Sequence, residues 1–288
     1  MPEAHIGVIG GSGLYDLDGL ENVTEVEIDT PFGAPSAPLV VGEFSGTSVA
    51  FLPRHGRGHR LSPTEVPAMA NIHALKSIGV TRVLSISAMG SLKEELAPLD
   101  YLVPDQLIDR TRLRESTFFG DGVVAHVGFA DPFCYELSEL ASASLEVAGA
   151  RVARGGTCVV MEGPAFSTRA ESNLYRSWGA SAIGMTALPE AKLAREAELC
   201  YATMAAMTDY DVWRQMEEDV TVETVVANLN QNVETARTAI RSLLASDVSN
   251  RHCTCGDSMN GAIMTAPDAI SERRKTELSV IAGRYLNG

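Results

Sequence analysis

Three stretches of this sequence concentrate groups able to hold and polarise a small ligand. The apolar run Ile6-Gly7-Val8-Ile9 leads into Gly10-Gly11-Ser12-Gly13, the pattern of a buried strand emptying into a glycine turn. Such a turn aims backbone N–H groups at one point, and the Ser12 hydroxyl adds a donor. The third glycine of a dinucleotide fingerprint is absent, because Asp16 stands in its place, and no lysine follows as in a nucleotide P-loop. A small anion, or a plain turn, remains. Arg54-His55-Gly56-Arg57-Gly58-His59-Arg60 gathers positive charge after another apolar run. A guanidinium there can fork onto two phosphate oxygens, although basic loops are often merely solvated. Ser87 and Thr186 close further apolar runs, and each hydroxyl can donate to the same anion.

The third stretch is Met207-Thr208-Asp209-Tyr210-Asp211. Two carboxyl groups at the end of an apolar strand are partly removed from water, and burial raises a carboxyl pKa. One that keeps its proton can donate to a ring nitrogen of a heterocyclic leaving group while an ionised neighbour accepts from an amino group. Aspartates flanking a turn also serve backbone hydrogen bonds.

The elements that must position these groups alternate. Ile6–Ile9 reads as a strand, and Pro38–Glu43 with Thr47–Leu52 as a hairpin. Ser62-Pro63-Thr64-Glu65 has the form of a capping box, predicting a helix to about Ile78. Val80–Ser87, Thr157–Met161, Ser181–Met185 and Cys200–Met207 read as strands. Cys134–Val147, the segment capped by Thr168-Arg169-Ala170-Glu171, the segment after Pro189, Thr221–Leu244 and Glu272–Leu286 read as helices. This predicts an α/β fold, one domain over residues 1–288 with a central, largely parallel or mixed β-sheet flanked by helices. Ligands are then expected at the loops after Ile9, Ser87, Met161, Ile183 and Met207.

Of 288 residues, 45% are hydrophobic, enough for one large core, and the formal net charge is −14. So acidic a surface repels polyanions and argues against nucleic acid as partner. No apolar run approaches the roughly 18 residues of a spanning helix, and the start lacks a secretion-signal pattern; the expectation is a cytoplasmic protein that does not engage a membrane. The five cysteines are 134, 158, 200, 253 and 255. Cys253-Thr254-Cys255, in the tail from residue 251 to 288, has no second pair at zinc-cluster spacing, so no metal is expected. A disulfide near this motif and reduced, buried thiols both remain open.

Several strings together resemble the methylthioadenosine phosphorylase branch of the purine nucleoside phosphorylases, in order and over almost the whole chain. They are Gly10-Gly11-Ser12-Gly13-Leu14, Asp29-Thr30-Pro31-Phe32-Gly33, Arg54-His55-Gly56-Arg57, Asp105-Gln106-Leu107-Ile108-Asp109-Arg110-Thr111, the run from Glu162 to Glu171, and Thr208-Asp209-Tyr210-Asp211-Val212-Trp213. The resemblance implies a purine nucleoside phosphorylase-like fold and a phosphate site of Ser12, Arg54, His55, Ser87, the Ala88 amide and Thr186. It places the base against Ala88, Gly90, Phe166, Ser167, Asp209 and Asp211, and the ribose at the Met185 backbone. A 5′-methylthio group would meet Val222, Val225 and Val226, joined by His126 of a neighbouring subunit in a homotrimer or hexamer. The three valines are also simply the core face of a helix.

The implied activity is that of a pentosyltransferase. It would split 5′-methylthioadenosine with phosphate as co-substrate and no cofactor, giving adenine and 5-methylthioribose 1-phosphate for purine and methionine salvage. A broader or 6-oxopurine phosphorylase acting on adenosine, inosine or 5′-methylthioinosine is the alternative. A hydrolytic nucleosidase and a non-catalytic nucleoside binder are the remaining rivals. Three positions depart from the pattern: Gly184 replaces an asparagine before the Met185-Thr186 pair, Met89 stands where some members have cysteine, and Ser12 replaces a threonine. The Cys253-Thr254-Cys255 motif resembles one associated with disulfides in heat-stable archaeal members.

Overall fold

A computed structural model describes residues 3–11, 13–14, 17–214, 222–248 and 250–286; the side chains of residues 222–226 and 229 lie outside the description. One mixed sheet carries the fold. Its path runs β2 (Glu21–Val26), β3 (Leu39–Phe44), β4 (Thr47–Pro53), β1 (Ile6–Gly10), β5 (Arg82–Ser91), β10 (Ala182–Gly184), β9 (Thr157–Met161) and β7 (Gln106–Arg110). A second branch leaves β5 through β11 (Cys200–Asp209), β6 (Tyr101–Val103) and β8 (Val152–Arg154). β5 is therefore the trunk from which the sheet forks.

Ten-residue β5 and β11 are parallel along nearly their whole length, with a bulge between Met207 and Asp209. Both are almost continuously buried, as strands covered on two faces must be. One face packs α1 (Ala68–Ser77) and α4 (Ala187–Glu196) with the tail helices α6 (Glu272–Glu277) and α7 (Ser279–Ala282). The other packs α2 (Tyr135–Val147) and α5 (Val222–Leu244). A third, smaller apolar cluster joins Leu92, Val159, Tyr175, Ala180 and Ile183 beside α3 (Arg169–Ser177). No helix among the described residues is long and apolar enough to cross a membrane.

Two predicted helices change on folding. Half of the Ser62–Glu65 box forms: the Glu65 carboxylate accepts from the Ser62 amide at 2.9 Å and its hydroxyl at 2.6 Å, while the Glu65 amide donates to the Ser62 carbonyl at 3.0 Å. It closes only a turn, and the helix starts at Ala68. Pro67 lacks an N–H and biases Val66 away from helical angles. The tail segment from Glu272 breaks into α6, α7 and a 3-10 turn at Gly283–Tyr285. Strand β2, almost wholly exposed, and the short strands β6, β7 and β8 have no counterpart in the sequence reading.

Candidate active site

The site opens where β5 lacks a neighbour. β1 pairs with β5 as far as Ser85, and β10 joins it only at Gly90 and Ser91. Between them Ser87 and Ala88 border a gap. The N–H and C=O of a strand residue share a side, and the side alternates along the strand. The Ile86 carbonyl accepts from Arg54 at 2.9 Å, so Ala88 directs its main chain into the same opening. A cavity of about 470 Å³ lies over this gap, lined among others by Gly11, Arg54, His55, Ser87, Thr186 and Asp209.

Arg54 follows β4 directly, its amide donating to the Gly10 carbonyl at 2.9 Å. The guanidinium is 3% exposed, and its fork is taken by Glu190, not left for an anion: Nε to Oε1 is 2.5 Å and Nη2 to Oε2 is 3.1 Å. Nη2 also donates to Ser85 Oγ at 2.7 Å. Of the five N–H groups of a guanidinium, one on Nη1 has no partner among the described residues. The expected two-oxygen grip by Arg54 is thus corrected to a single donor on a rigidly held cation. Glu190, 2% exposed, also accepts from Tyr201 Oη at 3.0 Å and Ser85 Oγ at 3.2 Å. Sequence reasoning missed Glu190; the only signal was a carboxylate inside the otherwise apolar start of α4.

His55 is partly buried. Its Nδ1 lies 2.8 Å from the Leu61 carbonyl; a carbonyl only accepts, so Nδ1 carries the proton and Nε2 presents a lone pair. Burial, with Arg54 and His59 adding repulsion, pulls His55 down to about 4 against the raising effect of that hydrogen bond. His59 stacks on it with ring centroids 4.4 Å apart. On the far side of the gap, Ser87 Oγ and Thr186 Oγ1 are 2.6 Å apart. Thr186 precedes α4 without using its hydroxyl as a cap. Ser12 lies outside the described residues.

The other end of the cavity holds the carboxylates. Asp209 Oδ2 accepts from Thr208 Oγ1 and Oδ1 from the Asp211 amide, each at 2.7 Å. Asp211 has left-handed φ, 50°, and is 8% exposed. Among the described residues its buried Oδ2 has no hydrogen-bond partner. Burial raises Asp211 above the usual carboxylate range, and the charge of Asp209 adds to the rise. This turn is pinned from α5, where Asn228 Nδ2 donates to Thr208 O at 2.7 Å and Asn232 Nδ2 to Met207 O at 3.0 Å.

Between the two ends stand Ala88, Gly90, Phe166, Ser167 and Met185, all at the cavity wall. Phe166 is 76% exposed at the mouth, whereas Ser167 is buried. Arg114, a second residue missed in the sequence, is a strut: Nη1 donates to the carbonyls of Met185 and Leu188, Nη2 to that of Met161, and Nε to Glu162 at 3.1 Å. Thr64 and the amides of Arg112 and Leu113 also donate to Glu162, and against burial these donors hold its carboxyl down at about 2. Gly184 and Met89 are in contact across the wall.

The structure does not bring His126 to the cavity of its own chain. Its amide is tied to Ala262 O at 2.9 Å, beside the exposed side chains of Val124 and Met264. The side chains of Val222, Val225 and Val226 lie outside the described residues. The cysteines, unrelated by spacing, do converge: the sulfurs of Cys134, Cys200, Cys253 and Cys255 lie within 4.8 Å of one another. None of the five cysteines is in a disulfide.

The family model for the Phosphorylase superfamily matches residues 5–245. S-methyl-5′-thioadenosine phosphorylase of Koribacter versatilis is 54% identical over 98% of this chain and 97% of that protein. Its namesake in Geobacter sulfurreducens is 53% identical over 99% of this chain and 100% of that protein. Among solved structures, a methylthioadenosine phosphorylase from an antarctic soil metagenomic library superposes with a TM-score of 0.94 at 46% identity, covering 98% of this chain and 99% of that one. The methylthioadenosine phosphorylase of Schistosoma mansoni in complex with adenine gives a TM-score of 0.83 at 34% identity, covering 90% of this chain and 97% of that one. Likeness of this extent in sequence and in backbone leads to one assignment: the chain belongs to the phosphorylase superfamily, among its methylthioadenosine phosphorylases.

Proposed function

We propose that this protein cleaves 5′-methylthioadenosine with inorganic phosphate, giving adenine and 5-methylthioribose 1-phosphate. The observation that carries the reading is a single cavity with anion donors at one end and a carboxyl pair at the other. Arg54 Nη1, the Ala88 amide, Ser87 and Thr186 face one end, and Asp209 and Asp211 the other. Ser12 joins the first set by its place in the glycine turn.

The glycosidic bond breaks first, its electron pair leaving with the purine and positive charge growing at C1′. Asp209 hydrogen-bonds to N7 and offsets the charge growing on the base, while Asp211 faces the 6-amino group. Phosphate, fixed across the ribose, stabilises the cation and then forms the new bond at C1′. Positioning and electrostatics supply the rate, and the reaction as written needs neither a covalent enzyme intermediate nor a cofactor. His55, with Nε2 as acceptor, takes a hydrogen bond from the phosphate's own hydroxyl.

Phe166 and Ser167 flank the base, Met185 the ribose, and Val222, Val225 and Val226 the methylthio group. His126 completes that pocket from a second copy of the chain in a homotrimer, which exposed Val124 and Met264 beside it support. The unbridged cysteines fit a reducing cytoplasm, where the products would feed purine and methionine salvage. A second reading, broader purine specificity, is favoured by the apolar Met89–Gly184 wall, which offers no side-chain donor of its own. Incubation with 5′-methylthioadenosine, 5′-methylthioinosine, adenosine and inosine, with and without phosphate, separates these readings. Phosphate-dependent release of adenine from the first substrate is expected; release that ignores phosphate would overturn the proposal.

A further inference from the structure

Four of the five cysteines meet far from the cavity although they come from three separate segments. Cys134 caps the N-terminus of α2, Cys200 begins β11, and Cys253 and Cys255 flank Thr254 in the tail. Cys134, Cys200 and Cys255 are buried and Cys253 is partly so. All four sulfurs lie within 4.8 Å of one another, and Cys200 and Cys253 are 3.3 Å apart. Tetrahedral zinc–thiolate bonds of about 2.3 Å set the sulfurs about 3.8 Å apart, so the group is already close to the size of one ion. Disulfides would gather the sulfurs in pairs, whereas here every sulfur is near every other.

The backbone holds this arrangement independently of any bond between the sulfurs. The Cys134 amide donates to Tyr201 O at 2.8 Å, and the Cys200 amide to Thr81 O at 3.0 Å. The tail is fastened on both sides of the motif, by the His252 amide to Glu136 and by Ser258 Oγ to Arg195 O at 2.6 Å. The surroundings also suit negative sulfur. Cys134 stands at the N-terminus of α2, where the helix dipole is positive. The Arg251 guanidinium lies against Gly256, next to Cys255.

We propose that Cys134, Cys200, Cys253 and Cys255 form a closed tetrathiolate site for a single zinc ion. Binding exchanges thiol protons for the metal and leaves no open position, so the ion is structural. It clamps the tail to α2 and to the start of β11, at the opposite end of that strand from Asp209.

The test uses the full chain, expressed with zinc and purified under a thiol reductant without chelator. Elemental analysis is expected to find one zinc per chain, released to a colorimetric chelator as a mercurial titrates the thiols. Cobalt(II) added to the metal-stripped protein should give sulfur-to-cobalt charge transfer and the intense ligand-field bands of a tetrahedral thiolate site. Stripping should lower the thermal midpoint by on the order of 10 °C. Cys134→Ser and Cys255→Ser should each abolish the cobalt spectrum; because either substitution can also impair folding, the unaltered chain decides. Substoichiometric zinc with no cobalt spectrum on free thiols would overturn the site. So would an intact mass short by the hydrogens lost to disulfides in protein prepared from a reducing cytosol.

Discussion

Met89 fills the space that a side chain at Gly184 would occupy. A Cβ at residue 184 would lie 3.0 Å from Met89 Cγ and 3.2 Å from its Cε and Sδ. At this wall the two positions are complementary, a long apolar side chain on β5 against none on β10. Gly184→Asn alone should overpack the wall and cost about 1–3 kcal/mol. Adding Met89→Cys should recover much of that loss. Denaturant unfolding of the two single variants and the double variant measures the coupling, and strictly additive effects would refute it.

Glu190 neutralises Arg54 and fixes its plane. Glu190→Ala strands a buried guanidinium, so unfolding free energy should fall by about 3–5 kcal/mol. In the folded fraction, KM for phosphate should rise more than KM for the nucleoside, with Glu190→Gln intermediate. Unchanged stability and phosphate KM would show that Arg54 is held by its other partners alone.

The carboxyl pair divides activity from stability. Asp209→Asn should lower kcat/KM for 5′-methylthioadenosine by roughly 10²–10⁴-fold, with phosphate binding within a few-fold of the parent. Asp211 is raised by burial. The stability it contributes is full below the ordinary value of an unfolded aspartate and is lost as pH rises through its folded value. At neutral pH Asp211→Asn should therefore unfold at a higher temperature than the parent, because the buried charge is removed, yet turn over more slowly. A variant less stable at neutral pH and unaffected in acid would contradict this.

His55 gives the opposite pH sign. Its folded value of about 4 lies below the ordinary 6.5, so its contribution to stability is present above pH 6.5 and is lost as pH falls toward 4. A neutral His55 with Nε2 exposed can accept from the hydroxyl of hydrogen phosphate, while sulfate has no hydrogen to give. Sulfate should compete poorly with phosphate near about pH 8 and gain ground as pH falls from about 5 toward about 4, where His55 takes up a proton. In His55→Leu the gain below about pH 5 should vanish. Steady-state inhibition constants across this range check it.

Much of this was legible from local pattern. The Thr168 box on α3, the span of β9 and Cys134 at the head of α2 follow from neighbours in the chain, and so do the strand ends bearing Ser87 and Asp209. What escaped depends on distant partners. Glu190 acquires its role from Arg54, 136 residues away, and Arg114 from carbonyls of two later segments. Strands β6 and β8 span three residues each; β6 forms because β11 offers an edge, and β8 because β6 then offers its own. The cysteine group was hidden for the same reason: spacing in the chain does not measure distance in space.

The break in pairing along β5 has a consequence for how the free enzyme breathes. A strand amide that faces an unpartnered side is open to solvent exchange, so within the interval from Ile86 to Met89 the Ala88 amide, which faces the gap, should exchange faster than those of Ser87 and Met89, which face β11. Phosphate seated there takes the place of the absent strand. Its binding should appear as slowed hydrogen exchange confined to that interval, making the co-substrate a missing rung of the protein's own ladder.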